Sequence, residues 1–414
     1  MKFEDYKFST EVTNSIDKLG FKRPTDIQYK CIPAILRGED LLAIAQTGTG
    51  KTAAFAIPII EKLHTKKKSQ SRKDGIKTLI MVPTRELAIQ IQEVFEELTA
   101  NTRVKSFCVF GGVEQGPQIQ KLEKGIDVLI ATPGRMFDLV SQGYIILSRI
   151  NTLVLDEADH MLDLGFIKDI RDLMRHLPKE RQTLFFSATI DKEIKKLAYS
   201  LVINPIRIQI SPKDPVSKNV DHAVAFIEMD DKRFFLERMI KNEPEKKFLV
   251  FTRTKIRAER VLKAMSRVEI QAVSIHGDKE QKDRLLVMNQ FKTGEVKILI
   301  ATDISARGID IPNVDYVVNY DMPEQDESYV HRVGRTGRGK NRGQAYSFCS
   351  KEEMPLLLEI EELIGKKIQV LELDYQEYQQ IKKSSDETHS DWKSLLKEMD
   401  ETAKAYKKKK RKKH

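Results

Sequence analysis

Apolar residues in this chain fall into short runs, each followed by a longer stretch in which they recur every three or four positions. In the first half the runs are Leu41–Ala45, Thr78–Val82, Val104–Phe110, Ile126–Ala131, Thr152–Leu155, Thr183–Phe186 and Ile206–Ile210. Runs this short and this uniformly apolar read as strands buried on both faces. Between the second and third, Leu87, Ile91, Val94, Phe95 and Leu98 fall on one face of a helix predicted over Glu86–Leu98. Ser211–Asn219 breaks the pattern with two prolines, serines and charges, and reads as a linker. The alternation then resumes, with strands predicted at Ala223–Met229, Lys247–Phe251, Ile270–Ile275, Lys297–Ala301, Asp315–Asn319, Gln344–Phe348 and Lys367–Leu371. The pattern predicts an α/β protein of two domains, each a mostly parallel sheet covered by helices. The expected boundaries are 1–210, a linker over 211–219, 220–373, and a charged tail over 374–414. Within the tail, Trp392, Leu395, Leu396 and Met399 have helical spacing and read as a short helix resting on the second domain.

The length of 414 residues fits this division, because one core rarely grows so large. No apolar run approaches the length of a bilayer crossing, and Met1–Thr10 lacks a signal-peptide pattern. Cys31, Cys108 and Cys349 are scattered, without C-x-x-C spacing, which points to a reduced, cytoplasmic protein without structural zinc. The net charge of +10 is concentrated at the end: Lys407–His414 carries seven Lys and Arg, and removing them leaves +3. The body is nearly balanced, so attraction to a polyanion sits in the tail or in local grooves; a tail of this kind is equally compatible with a solvated end. Lys66–Lys73 is a further basic insertion that reads as a solvated loop.

Candidate chemistry begins at Leu41–Thr52, LLAIAQTGTGKT, where a predicted strand runs into a glycine turn and then a helix. Gly48 and Gly50 allow successive N–H groups to point to one side, and the helix adds its positive end. Lys51 would reach the β- and γ-phosphates of a nucleotide and Thr52 would hold Mg²⁺. Ala45 stands where the general phosphate-loop pattern has its first glycine. In a parallel sheet, ligand sites lie at the carboxyl ends of strands. The strand Thr152–Leu155 ends in Asp156-Glu157-Ala158-Asp159. Asp156 is assigned to Mg²⁺, and Glu157 to orienting the attacking water. Ser187-Ala188-Thr189 ends another strand; these hydroxyls either link the acidic cluster to a neighbouring surface or cap the next helix. In the second half, His331–Arg338 places three arginines beside two glycines, and Arg335 and Arg338 could reach across to the γ-phosphate.

Taken together, these motifs resemble a DEAD-box ATP-dependent RNA helicase of superfamily 2, most closely the compact bacterial RhlE-type members. The resemblance runs from Phe8 to about Leu373 and implies two tandem RecA-like domains. It implies that Phe8 and Gly20–Gln28 form an adenine-reading motif, with Gln28 on the adenine edge and Phe21 near the ring. Asp26 stands where the family usually has proline. Ala45–Thr52, with Thr47, Gly48, Thr49, Gly50, Lys51 and Thr52, matches the family's own phosphate loop, which begins with alanine. Ser187 and Thr189 would couple hydrolysis to strand separation, with His331 as a further coupling residue and Asp310 near the ribose. RNA contacts are implied for Pro83, Thr84, Arg85, Gly111, Gly112, Thr132, Pro133 and Arg135. Their second-domain counterparts are Arg253, Thr254, Gly277, Asp278 and Thr302, with Gln281 and Arg284 nearby. Such loops suit backbone and 2′-OH recognition. The remaining histidines read as surface or packing residues.

The resemblance implies an RNA-stimulated ATPase that uses ATP and Mg²⁺ and separates short RNA duplexes as its cleft closes; nothing in the chain requires more than a monomer. Ribosome assembly, RNA decay and cold adaptation are all compatible settings. An ATP-gated RNA clamp and a DNA translocase on the same paired domains are the alternatives.

Overall fold

The computed structural model describes residues 2–46, 48–66, 75–190, 192–210, 216, 219–303, 314–337, 342–372, 376 and 378–381. Among them are two seven-stranded sheets in which every pairing is parallel. The first holds β1 (Leu41–Ala45), β2 (Thr78–Met81), β3 (Ser106–Val109), β4 (Val128–Ala131), β5 (Thr152–Leu155), β6 (Gln182–Ser187) and β7 (Ile206–Ile210). The second holds β8 (Val220–Phe226), β9 (Phe248–Phe251), β10 (Val273–Ile275), β11 (Ile298–Ala301), β12 (Tyr316–Asn319), β13 (Gly343–Cys349) and β14 (Gln369–Val370). Across the first sheet the order is β3-β4-β2-β5-β6-β1-β7, and across the second β10-β11-β9-β12-β13-β8-β14. These are the same order: the chain builds one RecA-like unit twice.

Burial explains why both sheets read so clearly. All five residues of β1 are buried, yet Leu41, Ala43 and Ala45 pack into one core layer and Leu42 into the other. A strand alternates its side chains between faces, so a fully apolar run requires helices on both sides. The second sheet is likewise covered by two apolar layers. β8 starts at Val220, ahead of the apolar run that begins at Ala223, because Asp221 and His222 are drawn into the ladder against Gln344 and Ala345. Packing also continues beyond 373. Ile381 is buried, and Tyr378 lies against Phe235 with its hydroxyl donating to Asp231 Oδ2 at 3.0 Å. Trp392–Met399, residues 67–74 and most of 211–219 lie outside the described residues. Among the described residues no helix is long and apolar enough to cross a membrane.

Candidate functional site

The turn after β1 is built on two left-handed glycines, Gly48 at φ 80° and Gly50 at φ 92°. A Cβ on Gly50 would stand 2.6 Å from Gln28 Nε2 on a backbone already at φ 92°, so a substitution there would strain the turn and displace the Gln28 amide. Gln28 is nearly buried; its Nε2 donates to Gly50 O at 3.2 Å and its Oε1 accepts from Thr25 N at 3.0 Å. It therefore clips the helix Asp26–Arg37 to the turn, and each amide atom keeps one further hydrogen-bonding capacity. Phe21 stacks on Phe3 close by in the chain. The helix Lys51–Lys66 begins with Lys51, which is 7% exposed and whose Nζ has no hydrogen-bond partner among the described residues. A buried ammonium without an acceptor is costly, and its place at a helix N-terminus above a glycine turn fits a phosphate.

Asp156 and Glu157 follow β5 and are both buried. Burial pushes the Asp156 carboxyl up to about 6, Lys51 pulls against this, and the neighbouring Glu157 and Asp159 add to it. Burial acts on Glu157 too, but there the nearby His160 ring, the Lys51 charge and the Arg335 guanidinium outweigh it and bring the carboxyl down to about 2. Two adjacent acids are thus shifted in opposite directions, in keeping with the separate tasks expected of them. Glu157 also adopts φ 52°, a left-handed conformation that costs a non-glycine residue about 1–2 kcal/mol. Asp159 takes neither task. Its Oδ2 accepts from Ala188 N and Thr189 N, both at 3.0 Å, and from Thr189 Oγ1 at 3.3 Å. Thr189 is therefore tied to the acidic cluster, whereas Ser187 is fully buried at the end of β6.

Across the gap, Arg335 is buried with its Nε donating to His331 O at 3.3 Å, and its charge is felt at Glu157. His331, Thr189 and Asp159 line one cavity of about 590 Å³ between the two units. Arg332 is internal instead: its guanidinium forks onto Asp303 at 2.6 and 2.7 Å, donates to Asp321 O at 2.7 Å and lies over Phe251. Thr47, Asp310 and Arg338 lie outside the described residues.

The residues expected on RNA all follow the other strand ends. Pro83 and Thr84 follow β2, Gly111 and Gly112 follow β3, and Thr132, Pro133 and Arg135 follow β4. Arg253 and Thr254 follow β9, Gly277 and Asp278 follow β10, and Thr302 follows β11. Thr84 and Thr254 cap the helices Arg85–Thr99 and Lys255–Arg267 in the same way, each accepting from the backbone N–H three residues on. Arg85 passes under Gly112, whose added Cβ would stand 2.1 Å from Nη1, and donates to Gln281 Oε1 at 3.3 Å in the second unit. Arg135 donates to Val113 O at 2.9 Å, and Asp278 pairs with Lys255 at 2.6 Å. Arg253 departs from a simple RNA-facing role: Nη2 turns inward onto Glu353 at 2.9 Å, because that carboxylate is buried and needs donors.

The first half matches the DEAD/DEAH box helicase model over residues 25–197, and the second matches the helicase conserved C-terminal domain over 231–340. The chain is 39% identical over 376 residues to the ATP-dependent RNA helicase DbpA of Bacillus subtilis, covering 91% of this chain and 77% of that protein. This chain belongs to the DEAD-box helicase family. The DEAD-box ATP-dependent RNA helicase CshA of Geobacillus kaustophilus is 40% identical over 369 residues, covering 89% and 77% of the two chains. Among solved structures, S. cerevisiae Dbp5 bound to RNA and ADP BeF3 superposes with a TM-score of 0.79 at 28% identity, covering 92% of this chain and 99% of that one. Mss116 bound to ssRNA and AMP-PNP gives 0.81 at 28% identity, covering 93% and 81%.

Some residues of this DEAD-box site left little mark in the sequence. His160 is not an ordinary packing histidine: its Nδ1 lies 3.5 Å from Glu157 Oε2. Its place three residues after Glu157, in the first turn of the helix that Glu157 precedes, was the available signal. Asp159 was visible as a letter of the motif, but its hold on Thr189 spans 30 positions and leaves no local trace.

Proposed function

We propose that this DEAD-box protein is an ATP-dependent RNA helicase that binds single-stranded RNA across its two units and locally unwinds short duplexes, with hydrolysis stimulated by RNA. The observation that carries this reading is Lys51, a buried ammonium without an acceptor among the described residues, beside two carboxyls of split acidity. ATP phosphates complete that site. Lys51 and the N–H groups of the turn, Thr47 included, bind the phosphates; Gln28 offers its remaining donor and acceptor to adenine, beside Phe21. Thr52 and Asp156 would hold Mg²⁺, which neutralises phosphate charge when bound. Glu157, charged at neutral pH, orients the water and accepts its proton. Arg335, and Arg338 beyond the described residues, bring positive charge from the second unit to the γ-phosphate, with Asp310 at the ribose. Asp159 links this chemistry through Thr189 and the Ser187 strand end to the cavity shared with His331.

RNA lies along the ends of β2, β3 and β4 in one unit and of β9, β10 and β11 in the other, gripped through its backbone. The basic segment Lys407–Lys413 adds sequence-independent affinity. We place the protein in the cytoplasm as a monomer of the RhlE type, serving ribosomal or RNA-decay complexes. The deciding experiment measures ATP hydrolysis and duplex separation side by side, with RNA, with DNA and with neither. RNA-specific stimulation together with unwinding supports the proposal. Stimulation without unwinding would make the protein a clamp, and equal stimulation by DNA a DNA translocase.

A further inference from the structure

Because the two sheets share one strand order, ladder register assigns each residue of the first unit a counterpart in the second. Thr152 pairs with Thr78 and Tyr316 with Phe248, so Tyr320 and Asp321 take the places of Asp156 and Glu157. Through β6 and β13, Leu41 corresponds to Ala223. The loop beyond β8, Glu228–Asp231, is then one residue shorter than Gln46–Gly50 and has no glycine. It ends at the same feature. The helices Lys51–Lys66 and Lys232–Asn242 both begin with a buried lysine.

The two lysines differ in what faces them. Lys51 Nζ has no partner among the described residues, whereas Lys232 Nζ donates to Glu353 Oε2. Glu353 is 2% exposed and takes three more donors: Ser350 N on Oε2 at 3.0 Å, and Met322 N and Arg253 Nη2 on Oε1 at 3.1 and 2.9 Å. An ammonium and backbone N–H groups around an anion are what the first unit would offer a phosphate, with the difference that here the N–H groups come from the ends of β12 and β13 and not from Glu228–Asp231. Arg253, one of those donors, also gives its backbone N–H at 3.0 Å to Asp321, the counterpart of Glu157.

We propose that Glu353 is a resident anion in the second unit's phosphate cradle, standing where the first unit takes a nucleotide phosphate, and that through Lys232 and Arg253 it positions the RNA-facing loop Thr252–Thr254. The second unit then binds no nucleotide at this place, and its RNA loop is ordered at all times. Glu353 is a positioning residue; it touches neither ATP nor RNA. The RNA half of this proposal rests on the reading of that loop given above, whereas the anion half does not.

Two measurements on the full chain decide it. Glu353→Ala opens a hole beside a buried ammonium, so inorganic phosphate should raise its melting temperature more than that of the parent. Lys232→Met/Glu353→Ala should lose this extra shift. No extra shift overturns the resident anion. Should Glu353→Ala fail to fold, the neutral pair Lys232→Met/Glu353→Gln keeps the volume without the charges. It should bind RNA about tenfold more weakly with ATP affinity unchanged, and adding Arg253→Ala should cost it less than it costs the parent. Parental RNA affinity, or a full additional loss from Arg253→Ala, overturns the positioning role. RNA stimulation of the parent's ATPase is read separately, so failure of the helicase reading leaves the phosphate shift interpretable.

Discussion

Arg284 of the second unit donates from Nε to Glu86 Oε1 of the first at 2.8 Å, and both side chains are largely buried. Gln281 donates to the same oxygen and accepts from Arg85, so one helix start holds the edge of the other unit at which we propose that RNA binds. Truncating one partner of a buried charge pair costs about 2–5 kcal/mol. We expect Arg284→Ala to reduce RNA-stimulated ATP hydrolysis at least tenfold while leaving unstimulated hydrolysis and the melting temperature of each unit near parental values. Steady-state ATPase with and without RNA reads this, and an equal loss in both assays would contradict it.

Glu157→Gln keeps the shape of the residue and removes its charge. Proton acceptance contributes typically about 10²–10⁴ in rate, so turnover should fall by that order. Binding of a fluorescent ATP analogue should be retained. Full ATPase activity in this variant would refute the assigned role.

Gly112→Ala puts a methyl group onto the Arg85 guanidinium in a left-handed backbone position (φ 77°). The arginine must move or the turn must open. RNA affinity, measured by fluorescence anisotropy, should fall about tenfold while nucleotide affinity is unchanged. Unaltered RNA binding would remove Arg85 from the RNA site.

Asp159→Ala leaves two backbone N–H groups at Ala188 and Thr189 without their acceptor, at about 1–3 kcal/mol each. Since Asp159 takes part in neither proton transfer nor phosphate binding, hydrolysis should persist at reduced rate while duplex separation is lost. The ratio of base pairs opened to ATP consumed is the quantity to follow. A constant ratio argues against coupling through this residue.

Replacing the basic residues of Lys407–Lys413 with glutamine should flatten the salt dependence of RNA binding. Each RNA phosphate that the segment no longer neutralises lowers the log–log slope by about 0.7 on a single strand. An unchanged slope would mean that the segment does not touch RNA.

The central strands of both sheets were legible from apolar runs, because strands buried on two faces cannot be polar without penalty; the edge strands β7 and β14 are largely exposed, and only their short apolar runs marked them. Lys51, Asp156 and Glu157 were legible because their chemistry is bound to a strand end, a place that the sequence marks twice. Contacts between distant segments were not. Nothing near Glu353 announces Lys232, 121 positions away, and nothing in the arginine run His331–Arg338 separates internal Arg332 from Arg335. The inward turn of Arg253 was hidden for the same reason: its orientation is set by a buried carboxylate one hundred positions later.

In the proposed function the strand ends divide into a nucleotide set, after β1, β5 and β6, and an RNA set, after β2, β3 and β4; β2 and β5 are side by side in the sheet. Adjacent strands are only about 4.8 Å apart, so the two ligands share rigid plates and cannot choose different degrees of closure. Thermodynamic linkage then requires the factor by which ATP tightens RNA to equal the factor by which RNA tightens ATP. Both factors can be measured with Glu157→Gln, which lets equilibrium be reached before hydrolysis.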